Sequence, residues 1–308
     1  MRYVLYFIQI FYYFIIVFHM SHSLIGFIGQ GFIGKNLADD FERRWYDIFR
    51  YSKRLDTPEN RQKLSECDIV FIGVPTPTTP QGFNCDTLRE VIGLVWVWKT
   101  AVIKSTMMPG TCEKLQALYP DRFVFHSPEF LAEKTAAYDV ANPTRNVVGY
   151  PIDTSEYRAR AQEVIDILPD SPVNIVCSSR EAEFIKYGSN CFLFLKVVYA
   201  NILYDLAHSA GSNWDVIRQG IGSDPRIGGS HLDILHASWI EEHKGRWAGG
   251  HCFIKDFSGL VEYIKSVGLD PLGEAFLVAA EKKNIDLLTN TQKNIDLLTG
   301  VYGSEKLW

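Results

Sequence analysis

Cys252 stands directly after Gly249-Gly250-His251, and Lys255 and Asp256 follow it by three and four residues. A segment of helical character runs on from the cysteine, which places the thiol at a helix N-terminus. The field there favours the thiolate, the nucleophilic form of the side chain. Residues three and four positions further on lie near the same helix face. A nucleophile flanked in this way suits covalent catalysis on an aldehyde. Sulfur adds to the carbonyl, a hydride leaves the tetrahedral adduct, and water releases the acid from the resulting thioester. The other cysteines, at 67, 85, 112, 177 and 191, lack this setting and read as packing residues. No CxxC pair occurs, so neither a zinc ribbon nor a dense disulfide framework is expected.

A second group lies on a predicted helix over 180–208. Glu183, Lys186, Asn190, Val197 and Asn201, at spacings of 3, 4, 7 and 4, fall along one stripe. Lys186 and Asn190 interrupt an otherwise apolar run, and such a stripe either faces a site or sits in water. A lysine beside a forming alkoxide would supply charge where it develops. The segment Ser127-Pro128-Glu129-Phe130-Leu131-Ala132-Glu133 reads as an N-cap, a first-turn proline and two acids four apart. Both carboxylates are expected on one helix face, either as functional acids or as partners of the helix dipole.

These groups need elements to hold them. Gly29-Gln30-Gly31-Phe32-Ile33-Gly34 fits G-x-G-x-x-G, follows a predicted strand and opens an amphipathic helix over Phe32–Arg44. In that context Gly29 allows a tight turn, Gly31 lets backbone approach a pyrophosphate, and Gly34 lets helix and strand pack closely. The helix N-terminus then faces phosphate charge. An acid that binds ribose hydroxyls is expected at the end of the second strand. Ser52-Lys53-Arg54 stands there instead, after Ile48–Tyr51. A hydroxyl and two cations suit a 2′-phosphate, which tilts the cofactor from NAD toward NADP; a solvated turn is the alternative.

The chain has 308 residues, which implies about two domains. Apolar runs at Leu24–Ile28, Ile48–Tyr51, Ile69–Val74, Ala101–Ile103, Phe123–Phe125 and Val147–Val148 alternate with helical or polar stretches. That alternation predicts an α/β domain over 20–150, a Rossmann-type parallel sheet covered on both faces. A mainly helical domain is expected over 175–282, doubling as a dimerisation domain, and a helical tail over 283–308. The tail holds KNIDLLT twice, at 283–289 and 293–299, which reads as a local duplication extending one helix. Lys plus Arg is 31 against 36 Asp plus Glu, a net charge of −5, which offers no footprint for nucleic acid. His231, His236 and His243 lack regular ligand spacing, so no metal site is expected.

The N-terminal stretch 1–19 carries one formal charge, Arg2, and is mostly apolar and aromatic. Translation is expected to start at Met20, with the first strand beginning near Leu24. A membrane anchor and a signal peptide are the alternatives, the first slightly short at 19 residues and the second without a small-residue cleavage site. Widely spaced cysteines fit reduced thiols in the cytoplasm.

Six ordered strings carry a resemblance: VPTPT (74–78), KSTMMPGT (104–111), SPEFLAE (127–133), EFIKYGSN (183–190), DPRIG (224–228) and GGHCFIKD (249–256). Over about 23–282 the chain resembles the UDP-glucose/GDP-mannose dehydrogenase family. The resemblance implies NAD-dependent oxidation of a sugar primary alcohol to a carboxylate, with a nucleotide sugar, UDP-glucose foremost, as substrate. It implies Cys252 as nucleophile, Lys186 as acid/base or oxyanion-stabilising group, Asn190 on the substrate, and Asp256 orienting catalytic groups or water. Thr106 and Glu133 would position the hydrolytic water. Gly29, Gly31, Phe32, Ile33, Gly34, Ser52, Lys53, Arg54, Val74, Thr76, Thr78, Thr106, Glu133 and Lys255 would meet the cofactor. Glu129, Phe130, Leu131, Glu133, Lys186, Asn190, Arg226 and Gly249 would meet the sugar nucleotide, Arg226 across a homodimer interface in some members.

The chain departs from the family pattern at Lys134, at Arg246-Trp247-Ala248, at His251, and in the length of the 226–252 stretch. The resemblance implies a third domain closing over the nucleotide sugar, which is expected to be missing here. Two rivals remain: a single-step β-hydroxyacid-type dehydrogenase, which needs no cysteine, and a non-catalytic dinucleotide-binding remnant.

Overall fold

The computed structural model describes residues 23–236 and 245–304. The leader 1–19, Met20 and His243 lie outside them, as does the side chain of His236. The chain divides into two compact units, one of residues up to 76 and 85–183, the other of 77–84 and 184 onward.

The first unit is built on β1 (Ile25–Ile28), α1 (Phe32–Arg43), β2 (Ile48–Tyr51), α2 (Pro58–Ser65) and β3 (Ile69–Ile72). The hairpin β4 (Thr78–Thr79) and β5 (Gly82–Phe83) follows and belongs to the second unit. The first unit resumes with α3 (Asp86–Ile92), β6 (Thr100–Ile103), α4 (Thr111–Leu118), β7 (Phe123–His126), α5 (Ala136–Ala141), β8 (Asn146–Tyr150), α6 (Ser155–Ile167) and β9 (Asn174–Ser178). Seven strands form one sheet in the order β2-β1-β3-β6-β7-β8-β9. Strand order reverses between β1 and β3, so the crevice at their carboxyl ends is where a dinucleotide is expected. Phe27, Phe41 and Phe71 pack ring against ring under α1, at centroid distances of 5.3 to 5.5 Å. This burial of Leu37, Ala38 and Phe41 fixes which face of α1 turns to the sheet.

Two features correct the sequence expectation. The sheet is not wholly parallel, because β8 runs antiparallel to β7. The connection from 127 to 145 holds only the six-residue α5. The chain enters β8 from the edge at which β7 ended, as an antiparallel pair requires. The sheet also continues beyond residue 150, since β9 pairs with β8 in parallel over five residues. The mainly helical part thus begins at Ser179 rather than 175.

That part opens with α7 (Ser179–Ser209), whose first residues, to Glu183, count with the first unit. The second unit contains the rest of α7, then α8 (Trp214–Gly222), β10 (Leu235–His236), β11 (Gly245–Arg246), α9 (Gly250–Val267), α10 (Pro271–Asn290) and α11 (Ile295–Tyr302). Phe194 of α7 stacks on Phe257 of α9 at 3.8 Å, fixing the two helices side by side. The KNIDLLT copies do not extend one helix. The first ends α10, Gln292 and Asn294 take left-handed backbone, and the second copy opens α11. Asparagine tolerates that conformation better than most residues, and the break follows from it.

Candidate active site

At the end of β1 the glycine loop has the dimensions a dinucleotide needs. Gly29 has φ of +91°, and a Cβ on it would sit 2.3 Å from the Gly73 carbonyl oxygen. A Cβ on Gly34 would sit 1.9 Å from the Gly29 carbonyl oxygen. Gly31 is different: a Cβ there would meet nothing within 4 Å. It is also the N-cap of α1, and no side chain caps that helix end. The first-turn N–H groups of α1 are thus left to an anionic ligand. These residues fit a pyrophosphate, with Phe32 exposed beside the loop.

Beyond β2, Ser52 starts a short helical turn over Lys53–Leu55. Lys53 and Arg54 are exposed, and among the described residues no carboxylate pairs with either. The acid nearest in sequence, Asp56, is already committed. Both its oxygens accept from Arg61, which holds its carboxyl well below the usual range, with the Tyr51 hydroxyl helping.

The loops after β3 and β6 are tied together. Ser105 Oγ accepts from Val74 N and donates to Val74 O, and the Thr76 hydroxyl donates to the Thr106 carbonyl. This places Val74, Thr76 and Thr106 in one cluster at the carboxyl ends of the strands. Thr78 falls in the second unit, where its hydroxyl donates to the Lys255 carbonyl.

The strip from Ser127 to Glu133 is not a helix. The Ser127 hydroxyl, expected as an N-cap, is instead bonded by the Lys104 ammonium, which also reaches the Pro128 carbonyl. Glu129 turns back to accept from Leu131 N. The two acids consequently part: Glu129 is buried and Glu133 is exposed. Ile33, Lys104, Glu129, Phe130, Leu131 and Arg145 line one cavity of about 140 Å³. Lys104 and Arg145 were not singled out from sequence. The signal was available for Arg145, a cation before the buried NVVG strand, and it covers the Phe130 ring at 3.7 Å.

Glu183 leaves the predicted polar stripe. It is fully buried and accepts from Gly110 N and Cys112 N at the start of α4. Burial outweighs these two donors and pushes its carboxyl up to about 8. A carboxyl raised from 4.5 in the unfolded chain stabilises the fold fully below 4.5, and the contribution is lost as pH rises toward 8. Glu183→Gln is expected to flatten stability against pH across that window, removing a slope of up to about 1.4 kcal/mol per pH unit. Urea midpoints measured across the window check this, and parallel curves for the two proteins would overturn it.

In the second unit, Asn190 and Asp256 meet. Asn190 Nδ2 donates to Asp256 Oδ2 at 2.6 Å, and Lys255 pairs with the other carboxylate oxygen. Asp256 is buried, and these two partners satisfy its carboxylate oxygens. Lys186 is buried on the same helix as Asn190. Asn201 instead bonds Arg246, and Val197 is packed. Cys252 occupies the first turn of α9 and is exposed, as is His251. Burial drives the thiols of Cys67 up to about 12 and Cys177 to about 11, and those of Cys112 and Cys191 upward as well. Reactivity is thereby left to Cys252, with Cys85 half-buried in the first unit. Gly249 is the N-cap of α9, and a Cβ on it would strike the Trp247 ring at 1.8 Å. Arg226 is 87% exposed and bonded to Asp224 two residues away. His231 lies 5.8 Å from the Phe253 ring. Among the described residues no three His, Cys, Asp or Glu side chains converge as metal ligands.

The family model for the NAD-binding domain of UDP-glucose/GDP-mannose dehydrogenases matches residues 44–166, and that for their central domain matches 180–285. The chain belongs to this family. NAD is the cofactor of its first domain. The UDP-glucose 6-dehydrogenase of Rhizobium meliloti is 32% identical over 224 residues, covering 67% of this chain and 48% of that protein. The chain thus spans about half the length of the curated relatives it matches. Among solved structures, a UDP-glucose dehydrogenase from Pyrobaculum islandicum superposes with a TM-score of 0.70 at 24% identity, covering 85% of this chain and 68% of that one. A 3-hydroxyisobutyrate dehydrogenase from Mycobacterium tuberculosis gives 0.64 at 12% identity, covering 87% and 94%. Both likenesses are of fold.

Proposed function

We propose that this dehydrogenase oxidises the 6-hydroxyl of a nucleotide sugar, UDP-glucose foremost, to the carboxylate in two steps. The observation that carries this reading is Cys252: an exposed thiol in the first turn of α9, beside the Asn190–Asp256–Lys255 group. NAD, when bound, accepts a hydride at each oxidation. Lys186 and Asn190 hold the sugar hydroxyl, and the lysine steadies the alkoxide as its proton leaves. The Cys252 thiolate adds to the aldehyde carbon to give a thiohemiacetal. Loss of the second hydride leaves a thioester, and water attacks its carbonyl and expels the thiolate. Thr106 and Glu133 position that water, while Glu129 to Leu131, Arg226 and Gly249 contact the nucleotide sugar. The overall change consumes one water and yields two reduced cofactors per carboxylate. Counting reduced cofactor per UDP-glucose tests it, with UDP-N-acetyl sugars and GDP-mannose alongside. A count of one would favour the single-step β-hydroxyacid type of reaction.

NADP is expected to serve at least comparably to NAD. Ser52, Lys53 and Arg54 stand where a ribose acid is expected, and Asp56 is engaged by Arg61. Two charge-assisted contacts to a 2′-phosphate are worth about tenfold or more in binding. Lys53→Ala/Arg54→Ala should therefore lower kcat/KM for NADP by at least about tenfold and leave that for NAD nearly unchanged. A strong NAD preference that the double substitution does not alter would assign both cations to solvent. The setting is the cytoplasm, where the six free cysteines stay reduced. The assembly is a homodimer built on α7, with Arg226 completing the neighbouring site.

A further inference from the structure

We infer that the duplicated KNIDLLT segment is a clamp on the loop that presents Cys252, with Asn284 and Asn294 as its two positioning residues. These are the same asparagine in the two copies. Both are buried, at 2% exposure. Asn284 Oδ1 accepts from Ala248 N at 2.7 Å, and its Nδ2 donates to Ala248 O at 2.8 Å. Asn294 Oδ1 accepts from Gly250 N at 3.2 Å. The two amides therefore hold residues on either side of Gly249, which is the N-cap of α9 and supplies no capping side chain.

The loop needs such holding. Gly250 has φ of +72°, and a Cβ on Gly249 would collide with the Trp247 ring and Asn294 Oδ1. Two adjacent glycines carry a large backbone entropy that must be given up to fix the start of α9. Asn284 alone fixes only Ala248. The second copy adds the hold on Gly250, two residues before the thiol, and satisfies an N–H that the helix start leaves without an intrahelical acceptor.

The helix break in the tail is part of the device. In one continuous helix, ten residues would carry the second asparagine about 15 Å further along and turn it by about 80°. Left-handed backbone at Gln292 and Asn294 folds the second copy back, so both asparagines reach one loop. Leu288 and Leu298, again equivalent in the two copies, are both fully buried in one cluster with Trp247. The repeat thus anchors the loop by matching apolar and polar contacts.

The functional consequence rests on the reading of Cys252 as the nucleophile, but the clamp can be tested without turnover. The full chain is alkylated with iodoacetamide over a pH series, and carboxamidomethylation of the Cys252 peptide is followed by mass spectrometry, with Cys85 as internal reference. Normalising each rate to its high-pH plateau removes differences in access. Asn294→Gly keeps left-handed backbone available but deletes the amide. It should lower the normalised neutral-pH rate at Cys252 by about fivefold, leave Cys85 unchanged, and reduce kcat on UDP-glucose while sparing KM for NAD. Asn284→Ala should act in the same direction as Asn294→Gly, and if it does not fold, Asn294→Gly carries the test alone. A Cys252 profile in Asn294→Gly superimposable on the native one would overturn the clamp. Carboxylate formation by Cys252→Ala would instead overturn the nucleophile and leave the alkylation result standing.

Discussion

Cys252→Ala is expected to abolish carboxylate formation, lowering its rate by about three orders of magnitude or more, while some oxidation to the aldehyde persists. The second hydride must leave a tetrahedral carbon, and without sulfur that carbon forms only by hydration of the aldehyde. The readout is the ratio of reduced cofactor to sugar, which should fall from two toward one, with aldehyde captured by a hydrazine. Because the side chain is exposed, the substitution should change stability by no more than about 0.5 kcal/mol. Loss of activity will then report on chemistry and not on folding. Cys252→Ser should behave differently again. An oxygen ester is hydrolysed more slowly than a thioester, so covalently modified protein should accumulate and be visible as added mass. Near-native turnover to the carboxylate by Cys252→Ala would remove the covalent reading.

How far the site was legible in sequence depended on whether local or distant contacts decide each part. The glycine loop was legible because its spacing is local: Gly29 needs left-handed backbone and Gly34 packs against the Gly29 carbonyl, while Gly31 leaves open space beside the helix start. The α7 helix was legible from composition over many residues, and its Asn190 does meet Asp256. The Ser127–Glu133 strip was misread because a tertiary contact overrides the local signal. Its N-cap pattern is sound, but the Lys104 ammonium takes the Ser127 hydroxyl from another strand. The β8 run is legible in sequence but its direction is not, since that is set by its pairing with β7. The KNIDLLT repeat is visible in sequence, but its role is not. Its asparagines acquire meaning only through Ala248 and Gly250, at least 36 residues away in sequence.

Glu183 illustrates the same division at one side chain. Spacing alone put it on a stripe with Lys186 and Asn190. In the fold it serves a different helix, closing the start of α4 with a carboxyl that burial pushes up to about 8. An ionisable residue in an apolar run can thus be structural cement, while the neighbour three residues on remains the candidate for chemistry.

Mixing two nearly inactive variants should restore activity if sites are shared between chains. Arg226 lies in the DPRIG turn, extends into solvent and is held by Asp224 alone among the described residues. On α7, Phe192, Tyr199 and Leu206 are exposed at intervals of seven, an apolar stripe of the kind that pairs with a second helix. A two-fold pairing along that stripe would let each Arg226 enter the partner's site. Arg226→Ala chains lack the arginine but keep Cys252, and Cys252→Ala chains are the reverse. In a mixed dimer one site receives both native residues and the other receives neither. Random exchange should therefore recover about a quarter of native activity, and complete pairing about half. Specific activity of the native protein should also fall on dilution as dimers dissociate. Mixtures no more active than their parents, after exchange has been demonstrated by mass, would confine Arg226 to its own chain. Full activity in a protein shown to be monomeric would remove the shared site altogether.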